Sequence, residues 1–388
     1  MELKEGYKQT EVGVIPVDWD VKSLGEIASF SNGKAHEQCI DDMGDFIVVN
    51  SKFISTQGKV AKNSNQCISP LSKGDITMVM SDIPNGKALA KCFAIPEDGK
   101  YTLNQRICSV RSNSVDNDFL ALILNRNKFY LSFDSGTGQT NLKKSEVLKC
   151  PLQLPPIKAE QSAIANALSD ADALIQSLTC LIAKKRQIKQ GAMQTLLNPY
   201  ENRKLKEGWV VKKLGELCDV RDGTHDSPKY ADSGVKFITS KNIVHGKLNF
   251  SDASYISHSD AIEINRRSKV DCGDILMSMI GTIGNAVLVE YEPDFCIKNI
   301  ALLKRKKMNA HFLIQYMESP VFKTVLNDSL DGGIQKFVSL GSLRLLELVI
   351  PNNEAEQTRI ATILSDMDAD IAALETKLAK YQQIKQGM

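Results

Sequence analysis

No stretch of the chain approaches the roughly 18 consecutive apolar residues of a membrane span, so no membrane association is expected. From Met1 to Trp19 the sequence interleaves Glu2, Lys4, Glu5, Lys8 and Glu11 and has no apolar h-region, which argues against a secretory signal and for a cytoplasmic location. Cysteine occurs nine times but never as C-x-x-C, and the nearest pair is Cys92 and Cys108. Neither a disulfide framework nor a thiolate zinc site is readable from that spacing, and reduced, mostly buried thiols are expected. The five histidines, His36, His225, His245, His258 and His311, are scattered without H-E-x-x-H or similar spacing, so no metal is expected. An excess of one charge is missing too, since 48 basic residues face 46 acidic ones. Residues 1–157 hold 18 of each sign and residues 209–351 hold 18 basic and 17 acidic, so any nucleic-acid face must come from local segregation of charge. With 43% hydrophobic and 24% charged residues, wholesale disorder is excluded.

Catalytic signatures are absent as well. Gly136-Thr-Gly-Gln-Thr140 lacks the lysine of a phosphate-binding loop and Gly281-Thr-Ile-Gly284 is too short for one, so both read as turns. No G-x-S-x-G elbow occurs. Asn198-Pro199-Tyr200 lacks the second proline of an amino-methyltransferase motif and no glycine-rich turn for a methyl donor precedes it, so it reads as a linker turn. Asp170 and Asp172, repeated as Asp366 and Asp368, read as solvated charge on a helix flank.

What is present is a duplication, with an offset of about 190 to 200 residues. Trp19-Asp-Val-Lys-Ser-Leu-Gly-Glu-Ile27 returns as Trp209-Val-Val-Lys-Lys-Leu-Gly-Glu-Leu217, and Gly74-Asp75-Ile76 returns as Gly273-Asp274-Ile275. Pro156–Gly191 and Asn352–Gly387 share 19 identities in 36 positions, among them Ala-Glu-Gln, Leu-Ser-Asp and the closing Gln-Ile-Lys-Gln-Gly. Two copies imply a pseudo-twofold monomer.

Each copy ends in a long helix. Ile164, Leu168, Ala171, Ile175, Leu178 and Ile182 follow a 4-3 spacing, and so do Ile360, Leu364, Met367, Ile371, Leu374, Leu378 and Tyr381. This is a heptad stripe, and its repetition in one register predicts that the two helices pack on each other, antiparallel, as a coiled coil. Prolines just before each helix, at Pro155-Pro156 and Pro351, and first-turn Glu160 and Glu356 mark the starts. The globular segments read as α/β (α+β). Strands are expected at Phe46 to Val49, Asp75 to Met80, Leu89 to Phe93 and Ile107 to Val110, with equivalents at Phe237 to Thr239, Asp274 to Ser278, Ala286 to Val289 and Ala301 to Lys304. Helices are expected at Phe119 to Leu131 and Phe312 to Leu326. The organisation is therefore a globular domain over 1–155, a helical spacer over 156–200, a second domain over 201–351 and a second spacer over 352–388.

On these residues the chain resembles the specificity subunits of type I DNA restriction-modification systems. The resemblance lies in the Trp-x-x-x-x-Leu-Gly-Glu start of each half, Trp19 to Ile27 and Trp209 to Leu217, in the proline-ended strands Leu152-Gln-Leu-Pro-Pro156 and Leu348-Val-Ile-Pro351, in Glu160-Gln161 and Glu356-Gln357, and in the Ile-Lys-Gln-Gly helix ends. It implies two target-recognition domains that each read one half of an interrupted, asymmetric site in double-stranded DNA, with the helices setting the distance between halves. It also implies methyltransferase partner subunits that carry S-adenosylmethionine and restriction subunits that use ATP and Mg, with neither cofactor on this chain and no catalysis by it.

Base edges are read by Arg, Lys, Asn and Gln, and phosphates by Lys, Arg, Ser and Thr. Such residues fall in loops at Asn50, Ser51, Lys52, Asn104, Gln105, Arg106, Gln139 and Lys143 of the first domain. In the second they are Arg221, Thr224, His225, Lys241, Asn242, Lys298, Asn299, Gln335 and Lys336. Lys304-Arg305-Lys306-Lys307 reads either as a phosphate strip or as a solvated strand end. Two other readings stand against the DNA-recognition subunit: a stand-alone DNA-modifying enzyme and a scaffold that binds only proteins.

Overall fold

In the first half, the segment after Trp19 forms a strand, β1 (Asp20–Ser23), a single helical turn, α1 (Leu24–Ile27), and a second strand, β2 (Ala28–Asn32). The structure is a computed structural model that describes residues 5–83, 86–225, 228–306, 308–330 and 337–387. The Leu-Gly-Glu of the repeat explains itself in α1. Leu24 is fully buried, and Glu26 reaches back to accept from the Ser23 N–H at 2.6 Å, closing the start of the turn. Gly25 lies so close to Leu148 that a Cβ there would meet its backbone oxygen at 3.3 Å.

The chain separates into two compact units, one running to Leu174 with the last turn from Lys385, the other covering Ile175–Ile384. In the first unit the strands that follow are β3 (Phe46–Val49), β4 (Ile76–Val79), β5 (Cys92–Ala94), β6 (Tyr101–Leu103), β7 (Ile107–Ser112) and β8 (Pro151–Leu154). An antiparallel sheet runs in the order β2-β7-β4-β5, while β6 pairs in parallel with β3 and β8 pairs antiparallel with β1. Its buried face packs Met78, Cys108 and Val110 against Phe119, Leu120 and Leu124. Strands this short and this fully buried cannot show a period-2 pattern, which is why their apolar runs carried the prediction.

The second unit repeats the plan. Strand β9 (Trp209–Lys213), the turn α3 (Leu214–Leu217) and β10 (Cys218–Asp222) are followed by β11 (Val235–Ile238), β12 (Ile275–Ser278), β13 (Ala286–Leu288), β14 (Phe295–Ile297), β15 (Ile300–Arg305) and β16 (Glu347–Pro351). The sheet order β10-β15-β12-β13, the parallel pair β11/β14 and the pair β9/β16 match the first unit strand for strand. Gly215 lies against Arg344 as Gly25 does against Leu148.

Three of the expected domain elements need correction. Phe119 to Leu131 is two helices, Asn117–Leu124 and Lys128–Leu131, broken where Arg126 takes φ +57° and Asn127 caps the second. Phe312 to Leu326 is likewise Ala310–Glu318 and Pro320–Asp328, because Ser319 accepts from the Phe322 N–H and Pro320 begins a new helix. Leu89 to Phe93 starts late as a strand, since the Asp82 carboxylate holds the Ala88 and Leu89 amides at 2.7 and 3.0 Å in a turn that puts Ala90 at φ +57°.

The long helices are α2 (Lys158–Leu196) and α4 (Glu354–Gly387). Each is anchored by the glutamine of its Glu-Gln pair. Gln161, 3% exposed, donates to the Pro155 carbonyl at 2.8 Å and accepts from the Asp116 N–H at 2.8 Å. Gln357, 5% exposed, does the same with Pro351 at 2.8 Å and Asn309 at 3.1 Å. This anchoring splits the heptad stripes. Ile164 packs on the first domain's core, and Ile360, Leu364 and Met367 pack on the second's together with Met193 and Leu197. Farther along, Leu178, Ile182 and Ile371 are buried, while Leu168, Ile175, Leu374 and Leu378 are half-buried. Within the second unit, Lys185 meets Asp370 at 2.9 Å and Lys189 meets Asp368 at 2.7 Å. The number falls on α4 as it rises on α2, so the two helices run antiparallel. Asp172 and Asp368, read as solvated charge, stay partly exposed on the helix flank and also pair, with Lys385 and Lys189 respectively.

All nine cysteines are free, five of them buried, and burial pushes the Cys108 thiol up to about 12 and Cys150 to about 11. Among the described residues no helix is long and apolar enough to cross a membrane, and no group of side chains is arranged to hold a metal ion.

Candidate nucleic-acid interface

In the first domain, candidates that lie up to 89 positions apart meet in one hollow. Its geometry follows from the parallel pair β3/β6, whose two strands end side by side at Val49 and Leu103. The chain leaves β3 into the helix Ser51–Ser55, which Asn50 caps by accepting from the Phe53 N–H at 2.9 Å. It leaves β6 into the turn Asn104-Gln105-Arg106, which reverses into β7 with Arg106 at φ +66°. The Asn104 N–H donates to Val49 O at 3.1 Å and ties the two exits together. A bridge from Lys34 to Asn104 brings in the end of β2, and it needs Gly33, where a Cβ would collide with the Asn104 carbonyl at 2.0 Å.

The hollow so formed, about 370 Å³, is lined by Asn50, Ser51, Asn104, Gln105, Arg106 and Gln139 together with Ser81, Asp82, Ile83 and Ile107. A neighbouring one of about 390 Å³ shares Ser81, Arg106 and Ile107 and adds Asn32, Gly33 and Asn141. Gln139 donates to Ser81 Oγ at 2.8 Å, and Gln105 donates to Glu37. The Asn104 Oδ1 atom is buried and has no partner among the described residues. Lys52 and Lys143 are exposed but do not line either hollow.

The second domain builds the same corner with other side chains. Thr224 bridges to Lys298 as Lys34 does to Asn104, and Gly223 passes the Ile297 carbonyl where a Cβ would sit at 2.3 Å. Asn299, at φ +51°, makes the reversal. Its N–H donates to Thr224 O at 3.3 Å and its carbonyl accepts from Ser240 Oγ at 3.3 Å. His225 Nδ1 lies 2.8 Å from Asn299 Oδ1, and its Nε2 lies 2.7 Å from Asp222 Oδ2. Arg267 donates to the other oxygen of Asp222 at 2.6 Å. Lys241 is exposed in the turn after β11, and Thr224, Arg266 and Arg267 line a hollow of about 510 Å³ beside it all.

Several candidates serve the fold instead. Asn242 is 5% exposed, accepts from the Thr239 N–H at 2.8 Å and donates to Asn249 O at 2.9 Å, so its amide is spent on the turn. Arg221 is half-buried on β10 with its guanidinium on Asp219 at 2.8 Å. Lys304 is not a solvated strand end, because its ammonium bridges Asp271 at 2.7 Å and Asp274 at 2.5 Å. Burial opposes its charge, but the hydrogen bonds it donates to those carboxylates outweigh burial and hold it above the usual lysine range. Lys306 donates to Gly215 O at 3.2 Å, and Gln335, Lys336 and Lys307 lie outside the described residues.

Sequence reading missed Ser81, Ser240 and Arg267. Ser81 and Arg267 are distant in sequence from the polar loops and join them only through strand pairing or helix packing. The repeated Asn32-Gly33 and Asp222-Gly223 was the available signal, since both glycines permit the close approach of two chains.

A family model described as the type I restriction modification DNA specificity domain matches the chain twice, over residues 16–189 and 206–386. The MjaVIII type I restriction enzyme specificity subunit of Methanocaldococcus jannaschii is 24% identical over 99% of this chain and 93% of its own. A putative MjaX specificity subunit from the same organism is 26% identical over 99% of this chain and 94% of its own. Among solved structures, the type I restriction-modification S subunit from M. genitalium aligns over 100% of this chain and 96% of its own with a TM-score of 0.62 at 15% identity, a likeness of fold.

Proposed function

Since the chain belongs to the family of type I restriction-modification DNA specificity subunits, we propose that it reads a bipartite site in double-stranded DNA, one half with each of its two globular domains. The observation that carries this reading is the corner at the end of the parallel strand pair, built twice from the same backbone and furnished twice with different side chains. A backbone repeated with fixed hydrogen bonds is a frame. Side chains that vary on it, Asn50, Gln105, Arg106 and Gln139 in one copy and His225, Lys241, Lys298 and Asn299 in the other, are what a reader of two unlike half-sites requires. Arg106 and Lys298 suit the acceptor edge of guanine, the asparagines and glutamines suit adenine, and exposed Lys52, Lys143 and Lys241 suit phosphates.

In this role the chain performs no chemistry itself. It recruits methyltransferase subunits, which bring S-adenosylmethionine, and restriction subunits, which bring ATP and Mg, in the cytoplasm where the DNA lies. The paired helices offer a long, charged surface for such partners and set the separation of the two readers. A stand-alone modifying enzyme finds no support in the first domain's two hollows: their carboxylate, Asp82, is taken by the Ala88 and Leu89 amides, and the other described polar residues lining them are amides, hydroxyls and Arg106, without a paired base and nucleophile.

Sequencing the methylated sites of cells that carry the complete system tests the reading. Arg106→Ala should relax one position of one half-site by about 1 to 3 kcal/mol of discrimination and leave the other half-site unchanged. Changes in both halves, or in neither, would refute it.

A further inference from the structure

The corner of the second domain contains a relay that the first lacks. Asp222 is 3% exposed at the end of β10, and its two oxygens are held by Arg267 at 2.6 Å and by His225 Nε2 at 2.7 Å. A buried carboxylate oxygen accepts hydrogen bonds, so the imidazole nitrogen facing it is placed as a donor. His225 Nδ1, the other ring nitrogen, faces Oδ1 of the Asn299 amide at 2.8 Å. In the first domain Ala35 follows Gly33 and Lys34 at the place where His225 follows Gly223 and Thr224.

Resting on the DNA-reading function proposed above, we propose that His225 is a positioning residue that sets which hydrogen-bonding atom Asn299 presents to a base. An asparagine amide has an acceptor at one end and a donor at the other. When Nδ1 is protonated it donates to Oδ1, and the NH₂ group is turned outward. When Nδ1 is bare it accepts from the NH₂ group, and the carbonyl oxygen is turned outward. Outward NH₂ suits guanine or thymine acceptors; an outward carbonyl suits the exocyclic amine of cytosine or adenine. The backbone of Asn299 is fixed by Thr224 and Ser240, so only the amide is left to turn. The charged groups set against the imidazole are Asp222, from β10, which it contacts, and Arg267, from the helix His258–Ser268, which shares that carboxylate.

The test selects duplexes from a randomised pool with the complex of this chain and its methyltransferase partner, at about pH 8 and about pH 5.5, on either side of the range in which imidazoles change charge. The expected result is a change of preferred base at one position of the second domain's half-site, with the first domain's half-site as an unchanged internal control. His225→Gln, which keeps a polar side chain but does not titrate, should abolish the pH response, and Asn299→Ala should leave that position degenerate at both pH values. A wild-type preference that does not move with pH, or a His225→Gln complex that still moves, overturns the relay while leaving DNA reading intact. Undiminished discrimination in Asn299→Ala overturns the relay and the reading role of this turn together. Nitrogen-15 spectra of histidine-labelled protein without DNA give an independent check, since an Nδ1–H, Nε2-bare tautomer at high pH also overturns the relay.

Discussion

Replacing Gln357 by methionine isolates what the repeated glutamine contributes. Gln357 is 5% exposed; its amide accepts from the Asn309 N–H at 3.1 Å and donates to the Pro351 carbonyl at 2.8 Å. It thereby joins the first turns of α4 to the end of β16 and to the start of the helix Ala310–Glu318. Methionine keeps the length and the apolar contact but leaves one donor and one acceptor without partners. Each unpaired buried group costs about 1 to 3 kcal/mol, and because the Asn309 amide is only partly buried the sum should be about 2 to 4 kcal/mol. For a unit the size of Ile175–Ile384 that is a fall in Tm of about 5 to 15 °C. Calorimetry reads the fall, and hydrogen exchange locates it, since the Asn309 amide should lose protection first. Thr358→Ala is the comparison. It removes an exposed hydrogen bond between the same two helices, from Asn309 Nδ2 to Thr358 Oγ1 at 3.0 Å, and should cost no more than about 0.5 kcal/mol. If Gln357→Met shifts Tm by no more than Thr358→Ala does and the Asn309 amide stays protected, the glutamine is not the anchor described above.

Two further outcomes are expected. The Asp271 carboxyl is held below its usual range by hydrogen bonds from Lys304 and Lys269, so its stabilising effect is complete above the ordinary aspartate value and is lost as pH falls through the lowered one. The second unit should therefore lose stability below about pH 4, and Lys304→Met should both lower Tm at neutral pH and flatten that acid loss. Parallel pH curves for the two proteins would contradict the assignment. Inserting one heptad between Leu178 and Ile182 of α2, and one between Ile371 and Leu374 of α4, adds about 10 Å to the helix pair. At about 3.4 Å per base pair the gap between half-sites should lengthen by at most about three base pairs, with the recognised bases unchanged, as read from the methylated motif. An unchanged gap in an active complex would show that the helices do not measure distance.

The sequence by itself determined the two-copy plan, the two long helices and their starts, and most of the sheet strands. These features are local or repeat: a proline-ended strand followed by Glu-Gln and a 4-3 stripe reads as a helix wherever it stands, and finding it twice removes the ambiguity of either copy. The loops holding Asn50, Asn104 to Arg106, Thr224 to His225 and Lys298 to Asn299 were also legible, as polar residues at strand ends. The roles of individual side chains were not. Asn242 and Asn299 look alike in a polar turn, yet one is buried in a cap and the other faces an imidazole, because burial depends on what the rest of the chain lays over each turn. Lys304 read either as part of a phosphate strip or as a solvated strand end until the turn after the helix His258–Ser268 supplied Asp271 and Asp274. The heptad stripes promised a single seam, but the same face that can meet another helix can also meet the domain it grows from. Anchoring by Gln161 and Gln357 sends the first turns of each helix to its own core. Periodicity says that a face is apolar; only tertiary structure decides what covers it, since burial of apolar surface is without direction and is settled by whichever surface lies within reach.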